Sequence, residues 1–313
     1  MADNAIATNQ VSVRPLQRND LEAVIAVDQA QSGHSRRDYF TRRLDHAARD
    51  PAAFAGFAAE CGGRFAGVVF ARIEEGEFGG SVREASLDAI GVSAEGQGVG
   101  RALIDRLAAD LRGRGIRELA TQVDWTNHHL TGFFSSTGFI PAPRIVLERD
   151  TATRLDPEET STEGSGDDRP QVRSMQPGDL PALIAIDRRV TGEERPAYYA
   201  RKLEEVFSES GVRVSLVAEI DRHPAGFIVA RVDFGEFGHT EPKAVMDTIG
   251  VDPRHSREGV GAALLSQLVG NLGALRAESL RTEVTWNRFN LLGFLDRMGF
   301  RPHRRLALQL DLT

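Results

Sequence analysis

Two glycine patterns set the chemical question. Gly98-Val99-Gly100 and Gly259-Val260-Gly261 each follow a strand-like run, SLDAIGV or AVMDTIGV, and each opens a stretch with helical apolar spacing. A glycine loop at the start of a helix collects unpaired backbone N–H groups at the positive end of the helix dipole, which suits a phosphate. Neither pattern matches the best-known phosphate loops: a P-loop ends in Gly-Lys-Ser/Thr, and a dinucleotide fingerprint needs a glycine where Arg101 stands after Gly96 and Gly98. A plain tight turn accounts for the bare glycines as readily. Other side chains able to do chemistry also come in pairs. Asp88 and Asp247 lie on the strand before each loop, Glu77 and Glu236 inside a shared Gly-Glu-Phe-Gly, and Asp28 and Asp187 at the end of a first helix; Trp125 and Trp286 are the only tryptophans. His128 and His129 have no partners at metal-ligand spacing, so no metal is expected.

The pairing reflects a duplication. Val13 aligns with Val172, Asp28 with Asp187 and Tyr39 with Tyr198, each 159 positions apart (172 − 13); from Gly98 and Gly259 onward the spacing is 161 (259 − 98). The second copy therefore carries two extra residues in one loop. A unit this long is a whole domain rather than a solenoid repeat. The 313 residues divide into a flexible N-terminus over 1–10, a first domain over 11–150, a polar, acidic linker over 151–170 and a second domain over 171–313. Each copy reads as a short strand, a helix capped by Asp20 or Asp179, two strands joined by glycine turns, and the strand, loop and helix of the glycine motif. An alternating strand ending at the tryptophan, a short helix and a last strand complete it. The expected fold class is α/β (α+β), with a mixed, mostly antiparallel sheet flanked by helices in each copy.

Composition narrows the setting. No apolar run of about 18 residues and no basic leader is visible, so neither a membrane span nor secretion is expected. The single cysteine, Cys61, excludes an intrachain disulfide and agrees with a cytoplasmic location. A net charge of −7 argues against a nucleic-acid partner.

In both copies the order of motifs resembles the GNAT N-acetyltransferase superfamily. Its signature runs Val-x-Pro-x-x-(Gln/Arg)-x-x-Gly-x-(Gly/Ala) from the fourth strand into the third helix, with an Asn-containing stretch and a closing Gly-Phe further on. Val251-Asp252-Pro253 and Gly259-Val260-Gly261 fit that register, and Gly138-Phe139 and Gly299-Phe300 stand where the closing pair belongs. The resemblance covers nearly all of both copies and implies two tandem GNAT-like domains using acetyl-CoA as co-substrate. By that resemblance Ile249, Gly250 and Val251 would line the pantetheine, and Arg257, Gly259, Val260, Gly261 and Ala262 the pyrophosphate, aided by Arg254. In copy one, Ile90, Val92, Gly98, Gly100 and Arg101 would do the same. Asn290, beside Asn287, falls where the family often has an asparagine at the cofactor, with Asn127 the equivalent in copy one; a cap for the following helix is the competing reading. The fourth and fifth strands are expected to splay apart to admit the thioester.

Acetyl transfer needs a neutral amine, so a carboxylate near the thioester is the expected base. Asp247 and Asp88 lead, because strand alternation over four residues puts them on the face of Val251 and Val92; a cap for a backbone turn is the alternative. Glu236 and Glu77 could meet a cationic substrate or sit at a solvated hairpin tip. Trp286, Trp125 and Asp187 are assigned to the acceptor pocket, with core packing as the other explanation of the tryptophans and solvent exposure that of Asp187 and Asp28. Two departures from the family pattern matter. Glu95 and Ser256 occupy the Gln/Arg position, and copy one is shorter in this loop, so turnover is expected in the C-terminal domain. Phe134 and Leu295 replace the tyrosine that many members use to protonate the leaving thiolate. The expected activity is acetyl-CoA-dependent N-acyl transfer to a primary amine, on a small molecule or a protein lysine, by a monomer or homodimer. The alternative is a non-catalytic acyl-CoA-binding sensor or interaction module.

Overall fold

The computed structural model describes residues 10–75, 83–153, 170–208, 214–233 and 243–313. The first copy contains β1 (Val11–Pro15), α1 (Leu21–Ser32), α2 (Arg37–Arg49), β2 (Phe54–Cys61), β3 (Arg64–Glu75), β4 (Arg83–Val92), α3 (Val99–Gly113), β5 (Glu118–Asp124), α4 (His128–Ser136), β6 (Ile140–Pro141) and β7 (Arg144–Asp150). The second contains β8 (Gln171–Ser174), α5 (Leu180–Thr191), α6 (Pro196–Ser208), β9 (Leu216–Ile220), β10 (His223–Asp233), β11 (Lys243–Val251), α7 (Val260–Ala274), β12 (Ser279–Thr285), α8 (Phe289–Arg297), β13 (Arg301–Pro302) and β14 (Arg305–Asp311). Strands β1 to β4 and β8 to β11 run antiparallel, and β5 and β12 add one parallel step to each sheet. These are the two duplicated mixed sheets that the sequence predicts.

The helices attach by the faces their apolar spacing defines. Leu103, Ile104, Leu107 and Leu111 of α3 are buried against one face of the first sheet, and Val24, Tyr39 and Phe40 from α1 and α2 meet Val68 on the other. Burying each such side chain fully contributes about 1.5–3 kcal/mol. In the second copy Leu264, Leu265, Leu268 and Leu272 of α7 form the larger core, while Leu183, Tyr198 and Tyr199 meet Phe227 across the sheet. Asp20 and Asp179 do not cap α1 and α5. Each sits in a 3₁₀ turn, where its carboxylate accepts the N–H of Gln17 (2.8 Å) or Gln176 (2.7 Å) and binds Arg14 or Arg173.

The last strands depart from expectation, for neither completes the sheet of its own copy. β7 pairs with β12 from Ser279 opposite Asp150 to Thr285 opposite Arg144. Conversely, β14 pairs with β5 from Arg305 opposite Asp124 to Asp311 opposite Glu118. The sheet orders are β1-β2-β3-β4-β5-β14-β6 and β8-β9-β10-β11-β12-β7-β13. Where the exchanged strands cross, Ala142, Val146 and Ala307 form a small buried cluster. Beside it the Ala142 N–H donates to the Ala307 carbonyl at 2.9 Å, and the His303 N–H to that of Val146 at 2.8 Å. Arg144 of β7 reaches back to Glu84 (3.0 Å) on β4, Glu118 (2.7 Å) on β5 and Glu283 (3.5 Å) on β12, tying both sheets together.

Candidate active site

The two glycine loops have one shape. Gly96 and Gly98 have φ of +76° and +75°; Arg257 and Gly259, at the matching positions, are both at +75°. Left-handed residues alternating with ordinary ones turn successive N–H groups into a common concavity, a ready anion seat. Arg257 adopts this conformation with its side chain exposed, so the two extra residues of copy two, folded into a 3₁₀ turn at Pro253–His255, leave the seat unchanged. Gly100 and Gly261 serve packing instead: a Cβ there would lie 2.9 Å from the Phe133 ring or 3.2 Å from that of Phe294. Val99 and Val260 are buried in the cores, so the loop offers a phosphate its backbone rather than side chains. Arg101 donates to the Ser136 carbonyl. Arg254 binds the buried Asp252 (2.8 Å), and its hydrogen bond holds that carboxyl at about 2. Glu95, exposed in the cleft lining beside the loop, pairs with His129 (3.1 Å).

Each loop stands at the mouth of a gap in its sheet. β4 and β5 pair only at Ala85 with Leu119 and Ser86 with Ala120; β11 and β12 pair only at Ala244 with Leu280 and Val245 with Arg281. Beyond these points the strands part. Threonine hydroxyls tie the root of each gap, Thr121 to the Leu87 carbonyl (3.2 Å) and Thr282 to that of Met246 (3.0 Å). At the same place the ladder skips one residue, because Phe70 and Ala71 face Ala89 and Leu87, and Val229 and Ala230 face Thr248 and Met246. Asp88 and Asp247 are the extra residues of these bulges.

That bulge overturns the expected orientation of the carboxylates. One added residue reverses the side-chain alternation. Leu87, Ile90 and Val92 consequently all pack toward α3, and Met246, Ile249 and Val251 toward α7. Asp88 instead meets Arg72 (2.8 Å) and Arg43 (3.7 Å) of α2, and Asp247 meets Lys202 of α6 and Arg231, each at 3.3 Å. Burial pushes the Asp247 carboxyl up, but the Lys202, Arg231 and Arg72 charges outweigh it and leave its pKa below the ordinary value. A carboxylate fixed this way is a weak base.

In the first copy a cleft of about 1140 Å³ joins the glycine loop to the gap and continues to Asp28 and Arg36 at the α1–α2 junction; Ile90, Gly91, Thr121, Gln122 and Asn127 also line it. Asp28 and Asp187 are not solvent-facing. They are buried partners of Arg36 (3.0 Å) and Arg195 (2.9 Å), whose guanidinium groups lie over Tyr39 and Phe40, or Tyr198 and Tyr199. The acceptor role expected for Asp187 is taken up by this ion pair. Burial first, and the nearby Asp187 charge, push the Tyr199 hydroxyl up. Trp125 and Trp286 are each 59% exposed at the ends of β5 and β12, so neither is core, and Trp125 lies outside the lining of the N-terminal cleft. Asn127 caps α4 through the Leu130 N–H (3.0 Å), while Asn290 is exposed in the first turn of α8. Glu77 and Glu236 lie outside the described residues. Among the described residues no group of His, Cys, Asp and Glu is placed to hold a metal, and no helix is long and apolar enough to cross a membrane.

The sequence model of the Acetyltransferase (GNAT) family matches residues 21–139 and 180–300. The chain belongs to the GNAT acetyltransferase family. No curated protein matches it. Among solved structures, a tandem GNAT protein from the clavulanic acid biosynthesis pathway is 15% identical with a TM-score of 0.65, covering 97% of this chain and 99% of that one. A GCN5-related N-acetyltransferase from Sphaerobacter thermophilus is 16% identical at a TM-score of 0.63, covering 96% of both. The glucosamine N-acetyltransferase region of a fungal multi-domain GH3 β-N-acetylglucosaminidase is 17% identical at 0.69; the match takes 98% of this chain but only 39% of that longer protein. At these identities the likeness is one of fold. In this GNAT chain the positions of the missing tyrosine are apolar and buried, Phe134 2% and Leu295 fully.

Sequence reasoning missed the basic partners of the carboxylates, though Arg36 and Arg195, Arg43 and Lys202, and Arg72 and Arg231 all keep the 159-residue spacing.

Proposed function

We propose that this GNAT protein transfers the acetyl group of acetyl-CoA to a primary amine. The observation that supports this most is the gap between β4 and β5, which opens beside the glycine loop and leaves the β5-facing backbone groups of β4 without a strand partner beyond Ser86. A thioester threaded along β4 finds hydrogen-bond donors there for the charge that develops on its carbonyl oxygen. An amine arriving from the α1–α2 side attacks the carbonyl carbon; the C–S bond breaks, and the proton lost by the amine passes through water to the leaving thiolate. Water takes this role because Asp88 and Asp247 are locked in ion pairs and Phe134 and Leu295 have no proton to give.

The N-terminal cleft is the better seat for turnover, although the sequence favoured the C-terminal copy. Both reasons against the N-terminal loop weaken, since Glu95 pairs with His129 and the loop dihedrals agree between copies. On the acceptor side the C-terminal copy is more filled, with Phe227, Thr248 and Tyr199 at the places of Val68, Ala89 and Phe40. Arg189 also crosses to Asp252 (2.7 Å) where copy one has Ala30 in the cleft wall. Replacing Gly98 or Gly259 by valine forces a branched side chain into a left-handed position and spoils one anion seat at a time. Thiol release from acetyl-CoA over a panel of primary amines should stop in Gly98→Val and persist in Gly259→Val. The reverse pattern would move turnover to the C-terminal domain. Acetyl-CoA binding by calorimetry with no amine-dependent release from the parent would favour the sensor reading, which the apolar Phe134 and Leu295 support.

A further inference from the structure

The two gaps touch through one side-chain pair that neither the family resemblance nor the repeat analysis uses. On β5, Leu119 and Val123 point into the α3 core, so Gln122 projects from the opposite face, two residues past the last pair with β4. Its counterpart 161 positions on (283 − 122) is Glu283 of β12, and the two meet: Gln122 Nε2 donates to Glu283 Oε2 at 2.6 Å. A carboxylate can only accept, so this bond settles which end of the Gln122 amide faces Glu283. Arg144 holds the other carboxylate oxygen at 3.5 Å. Gln122 Oε1 is then turned away from Glu283. It is buried and has no hydrogen-bond partner among the described residues, while Gln122 lines the N-terminal cleft. A buried acceptor left unmade is costly, and such a group is retained where something donates to it.

The ionised groups nearby indicate what that donor is. Asp28 is matched by Arg36, and Asp88 by Arg72 and Arg43. A polycation entering this cleft from the α1–α2 side therefore meets carboxylates already paired with arginine, and the exposed carboxylate of the lining, Glu95, lies beside the glycine loop with His129. At the lip of the gap on this side stands an uncharged acceptor, Gln122 Oε1. We propose that Gln122 Oε1 receives an N–H of the acceptor amine in the N-terminal cleft, that Glu283 of the other domain is the positioning residue that orients it, and that the substrate is a monoamine rather than a polyamine. This rests on the acetyltransferase reading above.

The test compares the parent with Gln122→Ala, Glu283→Gln and the exchanged pair Gln122→Glu/Glu283→Gln, using 2-phenylethylamine, ethanolamine and spermidine. Thiol release gives separate KM values for amine and acetyl-CoA, and the amine-induced rise in melting temperature of the CoA complex reports binding without turnover. Losing one neutral hydrogen bond predicts a monoamine KM about 5–10-fold higher in Gln122→Ala, with the acetyl-CoA KM unchanged. Glu283→Gln raises the amine KM in the same direction, and the exchanged pair, which keeps one donor facing one carboxylate, restores it. A merely structural contact would not move the amine KM alone. An unchanged amine KM and thermal shift in Gln122→Ala, or a preference for spermidine, overturns the inference while leaving acetyl transfer intact. Amine binding that depends on Gln122 without any thiol release upholds it and overturns the catalytic reading. A parent that neither binds nor acetylates these amines overturns both.

Discussion

The exchange of final strands makes a prediction that runs against sequence position. Leu308, five residues from the C-terminal end of the chain, is 6% exposed and belongs to the core of the N-terminal sheet, opposite Thr121 at the root of the β4–β5 gap. Leu147, its repeat equivalent, is 5% exposed in the core of the C-terminal sheet, opposite Thr282. Truncating a buried leucine to alanine costs about 2–5 kcal/mol, the transfer of the lost carbons plus the cavity left behind. If that cost falls on the local opening of the strand alongside, amide exchange there accelerates about 30-fold or more, since each 1.4 kcal/mol is a factor of ten. Hydrogen exchange read by mass spectrometry should therefore show Leu308→Ala deprotecting residues 118–124 and Leu147→Ala deprotecting 279–285. Because Thr121 anchors the gap, Leu308→Ala should also weaken acetyl-CoA binding at the N-terminal loop. Faster exchange at 279–285 in Leu308→Ala, with 118–124 unchanged, would mean that each copy closes its own sheet and would refute the exchange.

Further predictions concern the charged groups. Arg144→Met leaves Glu84, Glu118 and Glu283 without their shared cation, and breaking a buried pair costs about 3–5 kcal/mol, so the melting temperature should drop. Thermal melts of the variant beside the parent would check this, and an unchanged melting temperature would count against it. Asp252, lowered from 3.8 to about 2 in the folded chain, adds stability that is fully present above about pH 4 and disappears as pH falls through 2. The melting temperature of Asp252→Asn should accordingly be lower at neutral pH and fall less between pH 4 and 2 than the parent's. Asp88→Asn should lower the melting temperature while leaving the acidic limb of the kcat pH profile in place; a shifted limb would restore Asp88 as the base.

What the sequence made legible is whatever depends on local spacing, and what it hid depends on parity or on choice of partner. The apolar spacing of Leu103, Ile104, Leu107 and Leu111 specifies a helix and the face it buries, and the repeat transfers that reading to Leu264, Leu265, Leu268 and Leu272. The glycine loops were legible because a left-handed φ is confined largely to glycine, though Arg257 shows that one such position tolerates a side chain pointing to solvent. Alternation, in contrast, carries a sign that a single inserted residue reverses. Counting four residues back from Val92 put Asp88 on the wrong face, and nothing in REASLDAIGV marks the bulge that turns it toward Arg72 and Arg43. Strand partnership was hidden for a related reason. A duplicated fold presents two equivalent vacancies beside β5 and β12 and two equivalent strands to fill them, so Leu147 and Leu308 show the same alternating pattern whichever sheet receives them. Contacts where the strands cross, such as the cluster of Ala142, Val146 and Ala307 and the reach of Arg144 to both sheets, distinguish the arrangements. That exchange brings Gln122 and Glu283 into one contact, so the second copy shapes the first cleft whether or not it turns over itself.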